Sequence, residues 1–412
     1  MTLSNDKRTD LIFDWNTQDS DSFRPATPIE LDDETLRDGL QSPSVRDPRI
    51  DLKKKILHLM EALGIDTANV GLPGAGPRAV ADVTALCEEI RDQKLNIRPN
   101  CAARTMIRDI EPIARVSQEV GIPIEACLFI GSSPIRRYTE EWTLEQMLKL
   151  SEESIRFAVK ENLPVMYVTE DTTRADPETL RALYMAAIGN GARRICVCDT
   201  VGHATPVGVE KLITFIRSLV KESGEPVKVD WHGHRDRGMD LANTLAALRA
   251  GANRVHGCGL GIGERAGNTP MELILVNLKL LGWIDRDLRK LGEYCEAIAE
   301  GCGVRIPMNY PVVGQDAFET GTGVHAAAVI KAFRRGDDWL ADRVYSGVPA
   351  TDFGMKQNIR VGPMSGKSNV IYWLEKRGIR PEDPLVERIF AAAKQSDHML
   401  REEEIQALVD QK

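Results

Sequence analysis

Apolar and polar positions form a repeating pattern of short and long segments along most of the chain. Short runs of apolar, β-branched residues predict strands, and the longer stretches between them have helical spacing. Within residues 236–250, for example, Leu241, Leu245 and Leu248 share one helical face. The predicted strands lie near residues 28–33, 67–71, 97–101, 124–130, 165–169, 194–198, 227–232 and 254–259.

Eight consecutive strand–helix units favour an α/β fold, a (β/α)8 TIM barrel of parallel strands. The alternative is an open, doubly wound sheet, which more often contains fewer strands. We assign a flexible arm to residues 1–27, the barrel to residues 28–285, and mostly helical linker and lid subdomains to residues 286–412. In such barrels the functional side chains follow the carboxyl ends of the strands.

Composition narrows the class of protein. The formal net charge of −8 provides no basic field for nucleic acid. No apolar run approaches the ~18 residues of a membrane span, and the polar first 25 residues lack the apolar core of a secretion signal. The eight cysteines include no CxxC pair, and we expect Cys196 and Cys198 on opposite faces of a strand. These features favour reduced thiols in a cytoplasmic protein.

Polar residues follow nearly every predicted strand. Taken singly, each is equally well a solvated loop residue, but their number predicts a site at the mouth of the barrel. They are Arg37, Asp38 and Gln41 after the first strand, Arg104 after the third, Ser133 and Arg136 after the fourth, Glu170 and Asp171 after the fifth, Asp199 and Thr200 after the sixth, and His232 and His234 at the end of the seventh.

The motif HGH places two of the seven histidines two residues apart. Residues i and i+2 of a strand face the same way, so His232 and His234 point together into the mouth. Two imidazoles and a carboxylate commonly bind a divalent cation, and Asp38 is the natural third ligand because strands one and seven are two apart around the ring. The alternative is one packed core histidine and one exposed histidine. Zinc, magnesium and manganese all suit this donor set.

Three protein ligands leave coordination positions open for a substrate. A 2-oxo acid can chelate such a cation through its keto and carboxylate oxygens. Arg37 would then face the keto oxygen, where a fixed guanidinium stabilises the negative charge that develops.

A glycine-rich segment, GLGIGERAGN, follows the eighth strand. Its spacing from Gly261 is GxGxxxG, and it follows the last strand of a barrel, so we do not expect dinucleotide binding. Backbone amides that lead into a helix can hold a phosphate or carboxylate. The alternative is a tight loop in which glycine supplies positive φ angles.

Four motifs occur in order at strand ends: ETLRDGLQ, DTVG, HGHRDRG and GERAGN. Together they resemble the signatures of the DRE-TIM metallolyase superfamily, and within it the 2-isopropylmalate and homocitrate synthase branch, over about residues 28–379. The resemblance implies a Claisen-type condensation of acetyl-CoA with a metal-bound 2-oxo acid. Hydrolysis of the thioester then gives a 2-alkylmalate and CoA, as in leucine biosynthesis.

The resemblance also implies roles for individual residues. Arg37 and Glu170 are catalytic, Thr200 contacts the substrate carboxylate, and Asn268 closes the outer shell of the metal. The implied metal ligands are Asp38, His232 and His234; the implied substrate contacts are Gln41, Arg104, Ser133, Arg136 and Thr200; and the implied acetyl-CoA contacts are Gly261, Gly263, Glu264, Arg265 and Asn268.

The C-terminal third extends the resemblance. The segment FETGTGVHAAAVIKA resembles a family subdomain motif with a catalytic histidine, here His325. Tyr345 stands at a position that is often tyrosine, and the resemblance implies that it is catalytic as well. In this branch the subdomain covers the partner's barrel, which implies a homodimer in which His325 acts in trans. We expect no leucine-binding regulatory domain and therefore no feedback through one.

Two departures leave the substrate open. Relatives often have histidine at the position of Arg136 and glutamate at the position of Leu40. Arg136 either accepts a second carboxylate, as in 2-oxoglutarate, or pairs with Glu140. The 2-oxo acid is therefore 2-oxoisovalerate, pyruvate, 2-oxoglutarate or a more specialised one, and homocitrate and citramalate synthases are alternatives.

Two other functions compete with condensation. A hydroxymethylglutaryl-CoA-type lyase would carry a cysteine in the glycine-rich loop, whereas residues 261–268 have none and Cys258 lies within the strand. A binding or scaffold barrel would have lost some of the site residues, and all of them are present.

Overall fold

Eight parallel strands close into a barrel in the computed structural model, which describes residues 11–17, 25 and 28–411. Each strand pairs with the next, and β1 pairs with β8 to complete the ring. The predicted TIM barrel is confirmed. Strands β1 to β8 are Glu30–Asp33, Thr67–Gly71, Arg98–Arg104, Glu125–Gly131, Val165–Glu170, Arg194–Asp199, Lys228–Gly233 and Arg254–Gly257.

Helices separate the strands and cover the barrel. Two helices lie between β4 and β5, and two more follow β8. Helices α1 to α10 are Ile50–Ala62, Pro77–Asp92, Ile107–Val120, Pro134–Glu140, Leu144–Lys160, Pro177–Gly189, Pro206–Ser223, Asp240–Arg249, Met271–Leu280 and Leu291–Cys302.

Local sequence signals explain where several helices begin. Asp176 precedes α6 and its carboxylate accepts the amide of Thr179, while Pro177 occupies the first turn. Thr143 and Gln146 form a reciprocal capping box at the start of α5. Such caps satisfy amide groups that have no partner within the helix.

The amino-terminal end of the barrel is filled by a layer of buried charges. Asp230 on β7 is fully buried and accepts hydrogen bonds from Arg194 Nη1 and Arg254 Nε, both at 2.6 Å. Arg194 also bonds Glu30 at 2.6 Å, and Arg254 bonds Glu125 at 2.7 Å. Every charge named here faces an opposite charge, which offsets part of the cost of removing it from water.

The eight cysteines are all free and buried. The expectation that Cys196 and Cys198 lie on opposite faces of β6 was wrong, because residues two apart on a strand share a face. Their Sγ atoms are 3.7 Å apart. Both thiols belong to a buried cluster with Cys127 and Met166, against which Val168 packs.

The chain divides into two compact units. The unit that contains the barrel ends at Arg305, so it includes α10, which lies beyond residue 285, where we placed the end of the barrel domain. Most of the predicted arm, residues 1–27, lies outside the described residues; within it, Trp15–Thr17 form one 3-10 turn. None of the described helices is both long and apolar enough to span a bilayer.

The second unit contains residues from Ile306 onward. A two-stranded parallel sheet, β9 (Glu319–Thr320) and β10 (Asn358–Ile359), accompanies its helices. Two buried clusters form its core, one around Trp373 and Leu374 and one around Ala326 and Ile330. Helices α11 to α15 are Gly323–Arg334, Asp338–Arg343, Lys367–Lys376, Asp383–Gln395 and Glu402–Asp410.

We predict that Asp230→Asn lowers the free energy of unfolding by ~3–5 kcal/mol, because two buried guanidinium groups lose their shared counter-ion. Urea denaturation, followed by circular dichroism, measures this change. Glu222→Gln is the matched control, since Glu222 pairs with Arg181 at the surface and should contribute no more than ~1 kcal/mol. Equal unfolding midpoints for the two variants would contradict a stabilising role for the buried layer.

Candidate active site at the carboxyl end of the barrel

A cavity of about 340 Å³ opens among the carboxyl ends of the barrel strands. It lies where the barrel fold predicts functional groups. Nine of the predicted site residues line this one cavity: Arg37, Asp38, Gln41, Glu170, Thr200, His232, His234, Glu264 and Arg265.

Three side chains of types that can bind a metal ion converge in this cavity. The Nε2 atoms of His232 and His234 are 3.3 Å apart, and Asp38 Oδ2 is 3.7 Å from His232 Nε2. All three residues are buried, and one donor atom from each lies within 4.8 Å of the others. Two nitrogens and one carboxylate oxygen that share so small a volume fit a divalent cation with open coordination positions.

The charge state of these donors also suits a cation. Burial lowers the pKa of His232 to about 3 and also lowers the pKa of His234. Burial raises the pKa of Asp38, but Arg37 and the two histidines outweigh it, so the net shift is downward. Neutral imidazoles and an ionised carboxylate are the forms that bind metal.

Asn268 supports this donor set. Its Nδ2 donates to Asp38 Oδ1 at 2.7 Å and to the carbonyl of Ile262 at 3.2 Å. A Cβ at Gly263 would lie 2.2 Å from that Nδ2, so only glycine leaves room for the contact. Asn268 Oδ1 and His234 Nδ1 are buried without a hydrogen-bond partner among the described residues.

Arg37 is held by two carboxylates. Its Nη1 donates to Asp38 Oδ2 at 2.9 Å, and its Nη2 forms a short contact with Glu34. Burial raises the pKa of Glu34, but Arg37 and His256 lower it below the ordinary value, so Glu34 is ionised. The guanidinium is therefore fixed at the edge of the cation site.

Sequence reasoning missed Glu34 and His256, which also line the cavity. His256 Nδ1 lies 3.2 Å from Glu34 Oε1, and its Nε2 lies 3.0 Å from Asp230 Oδ2. The sequence contained a signal for both residues: Asp32 in β1 and Glu34, directly after it, are two positions apart, and the register places Asp32 opposite His256. Charged residues at alternate positions of a buried strand point into the barrel.

Glu170 and Thr200 lie at the rim of the cavity. Burial raises the pKa of Glu170 even though Arg136 Nη2 lies 3.9 Å away. The hydroxyl of Thr200 accepts the amide of Asp171 at 2.8 Å, which leaves its own proton available to a ligand. These two groups can move a proton and donate a hydrogen bond, respectively.

Three predicted substrate contacts are not among the described residues that line the cavity. Arg104 pairs with Asp109 at 2.6 Å. Ser133 caps α4 and donates to Asp171 Oδ2 at 2.5 Å. Arg136 pairs with Glu140 at 3.1 Å.

The glycine-rich loop is largely self-bonded. The amide of Gly267 donates to Glu264 and the amide of Asn268 to Gly261. Arg265 bonds Asp236 at 2.8 Å and the carbonyl of Thr200 at 2.5 Å, so it ties this loop to two neighbouring ones. Gly261 and Gly263 shape the loop without lining the cavity among the described residues.

His325 and Tyr345 lie in the second compact unit. Their rings stack, with centroids 4.1 Å apart and planes 25° from parallel. Both side chains are exposed.

Comparison with known proteins identifies the family. The model of the HMGL-like family matches residues 28–297. A probable 2-isopropylmalate synthase of Methanopyrus kandleri is 32% identical over 371 residues, which cover 89% of this chain and 69% of that protein. A homocitrate synthase of the same organism is 32% identical over 367 residues, which cover 88% of this chain and 86% of that protein.

Comparison with solved structures supports the barrel fold. The HMG-CoA lyase of Bacillus subtilis superposes with a TM-score of 0.58 at 22% identity, covering 69% of this chain and 97% of the lyase. At that identity the likeness shows a shared barrel and nothing finer. The family match and the curated synthases confirm the predicted resemblance to the DRE-TIM superfamily, and the chain belongs to the HMGL-like family.

Proposed function

We propose that this protein condenses acetyl-CoA with a 2-oxo acid, as a cytoplasmic acyltransferase of amino-acid biosynthesis similar to 2-isopropylmalate synthase. The observation that carries the proposal is the convergence of Asp38, His232 and His234 in one buried cavity beside Arg37. The synthase names of the curated relatives support the same reaction class.

Different residues of the cavity bind different groups of the 2-oxo acid. A zinc, magnesium or manganese ion held by Asp38, His232 and His234 would polarise the keto group. Arg37, already fixed by Glu34 and Asp38, stabilises the negative charge that grows on the keto oxygen. The hydroxyl of Thr200 donates to the carboxylate of the same acid.

The reaction moves protons in two places. The methyl group of acetyl-CoA loses a proton, its carbon bonds the keto carbon, and the keto oxygen gains a proton. Water then cleaves the thioester to a carboxylate and the thiol of CoA. Glu170 suits proton transfer to the oxygen, since its raised pKa lies closer to neutral pH than that of an ordinary glutamate.

We assign the removal of the methyl proton to His325, supplied by the second copy in a homodimer. Its exposed imidazole, stacked on Tyr345, is free of the core and open to a ligand. Gly261, Gly263, Glu264, Arg265 and Asn268 are assigned to the acetyl-CoA side of the site. A lyase mechanism is disfavoured because residues 261–268 contain no cysteine and Cys258, which precedes them, is fully buried.

Release of free thiol from acetyl-CoA, measured against a panel of 2-oxo acids, tests the proposal. We predict that Asp38→Asn lowers turnover ~10²-fold or more, because it weakens the cation site and leaves Arg37 with one carboxylate partner in place of two. Metal content of the purified protein should fall as well. Asp287→Asn, a surface change of the same type, is the control. Near-normal turnover of Asp38→Asn would count against the assignment, as would full activity after chelation and dialysis.

Glu34→Gln should lower kcat ~10- to 100-fold while KM and metal content stay close to those of the parent, since misplacing a positioned group by a fraction of an ångström costs this much. The expected cause is a guanidinium of Arg37 that has lost one of its two carboxylates. Steady-state kinetics and metal analysis of the same preparation separate the two effects. An unchanged kcat would show that Asp38 alone orients Arg37.

His325→Ala should keep the metal and lower turnover ~10²-fold or more, as expected for a lost general base. His398→Ala is the matched control, because His398 is an exposed histidine of the same compact unit. If mixing His325→Ala with Asp38→Asn restored activity, the histidine would act across the dimer. Metal content that fell together with turnover would refute the assigned role.

A further inference from the structure

The cavity has two halves of opposite character. Charged and imidazole side chains from β7, β8 and the segment that begins with β1 form one half, around the cation site. Strands β3 to β6 form the other half almost entirely from apolar and sulfur-containing side chains. These are Ala102, Cys127, Phe129, Met166, Val168, Cys196 and Cys198.

Strand register makes this apolar half continuous. Ala102 is paired with Cys127, and Cys127 with Met166. One step closer to the mouth, Phe129 is paired with Val168. Paired residues of neighbouring strands share a face, so these side chains form two adjacent apolar rows. The same register places Arg104 beside Phe129 and Arg194 beside Met166, and neither arginine is among the described residues that line the cavity.

The apolar half offers little to a negative charge. Among the described residues of β3 to β6 that line the cavity, Glu170 is the ionisable acid, and a carboxyl group provides no positive charge for a second carboxylate. Neighbouring Asn69 has an unpartnered Nδ2, a neutral donor that could bond one oxygen without offsetting its charge. Among the described residues that line the cavity, the cationic groups are already paired with carboxylates: Arg37 with Glu34, Arg265 with Asp236, and His256 with Glu34.

We infer that the substrate is a 2-oxo acid with an apolar side chain larger than a methyl group, and that acids with a second carboxylate are rejected. This inference rests on the proposed function, in which the keto and carboxylate oxygens lie at the cation site. The side chain of the acid then points across the cavity toward Ala102, Val168 and Cys196. A second carboxylate placed there would lose its water without gaining a counter-ion.

The sizes of the lining residues argue for more than a methyl group. Ala102 and three cysteines contribute short side chains, so the space between them is not filled by the protein. The ring of Phe129 and the thioether of Met166 are surfaces that attract apolar and aromatic groups. Each methylene that fills such a pocket raises kcat/KM about 10-fold or more.

The experiment measures kcat/KM by thiol release for pyruvate, 2-oxoisovalerate, 4-methyl-2-oxopentanoate, phenylpyruvate, 2-oxoglutarate and oxaloacetate. We expect kcat/KM for an acid with a branched or aromatic side chain to exceed that for 2-oxoglutarate by about 100-fold or more, since a site without polar partners rejects a charged group strongly.

Val168→Phe narrows the apolar half and should move the preference to a shorter side chain, with at least a ~10-fold loss of kcat/KM for the longest good substrate. The milder Ala102→Val should shift it in the same direction.

The possible failures are distinguishable. Preference for 2-oxoglutarate or oxaloacetate, lost in Arg136→Ala, would overturn this inference while leaving the condensation in place. An unchanged order of substrates in both Val168→Phe and Ala102→Val would also overturn it. If no acid releases thiol from acetyl-CoA while the protein holds its metal, the proposed function fails and the inference fails with it.

Discussion

The pairing of β1 with β8 is the interaction on which the candidate site depends. It joins the first strand to the last, with Asp32 opposite His256 and Asp33 opposite Gly257. Only this closure brings Asp38, which follows β1, to the histidines of β7, nearly two hundred residues later in the chain. A contact between such distant segments forms only when the whole ring is complete. The candidate site at the mouth therefore assembles only when the barrel is folded.

The barrel interior beneath the mouth is unusually charged. Glu34 contacts His256, His256 contacts Asp230, and Asp230 contacts Arg194 and Arg254, so one chain of contacts links the catalytic mouth with the opposite end. Buried ion pairs seldom add stability compared with apolar residues of the same size. Their value here is geometric, since each charge fixes the position of the next, and Glu34, at the mouth, fixes Arg37.

The barrel and the direction of the histidine pair could be predicted from sequence because both depend on the short-range periodicity of residues in strands and helices. Strand spacing, helix spacing and the i, i+2 rule act over a few residues, and the eight predicted strands overlap the observed ones. The contacts that long side chains make near the ends of strands and helices do not follow from this periodicity, as Arg104 in β3 and Arg136 in α4 show. Arg104 turns to Asp109, and Arg136 turns to Glu140. These partners are close in sequence, but the spacing does not show that each arginine pairs with its neighbouring carboxylate and does not line the cavity.

Glu34 and His256 were missed even though a local rule, the alternation of side chains along a strand, predicts their direction. Both lie on strands or directly after them, whereas the barrel rule points to the loops that follow the strands. The face that a strand residue presents to the barrel interior depends on alternation alone, and the same rule that located His232 and His234 also places Glu34. The misjudged thiols of Cys196 and Cys198 illustrate the same rule, since both face inward.

The two halves of the cavity separate the groups proposed to carry out the reaction from those proposed to bind the substrate side chain. The groups proposed to act on the keto and carboxylate oxygens come mainly from β1, β7 and β8, whereas the wall that a substrate side chain would meet comes from β3 to β6. Because these strands lie on opposite sides of a rigid ring, a change at Ala102 or Val168 alters the space for the side chain without moving Arg37 or the cation donors. Under the proposed function, selectivity among 2-oxo acids can therefore change independently of the condensation, and one set of site motifs can serve several substrates.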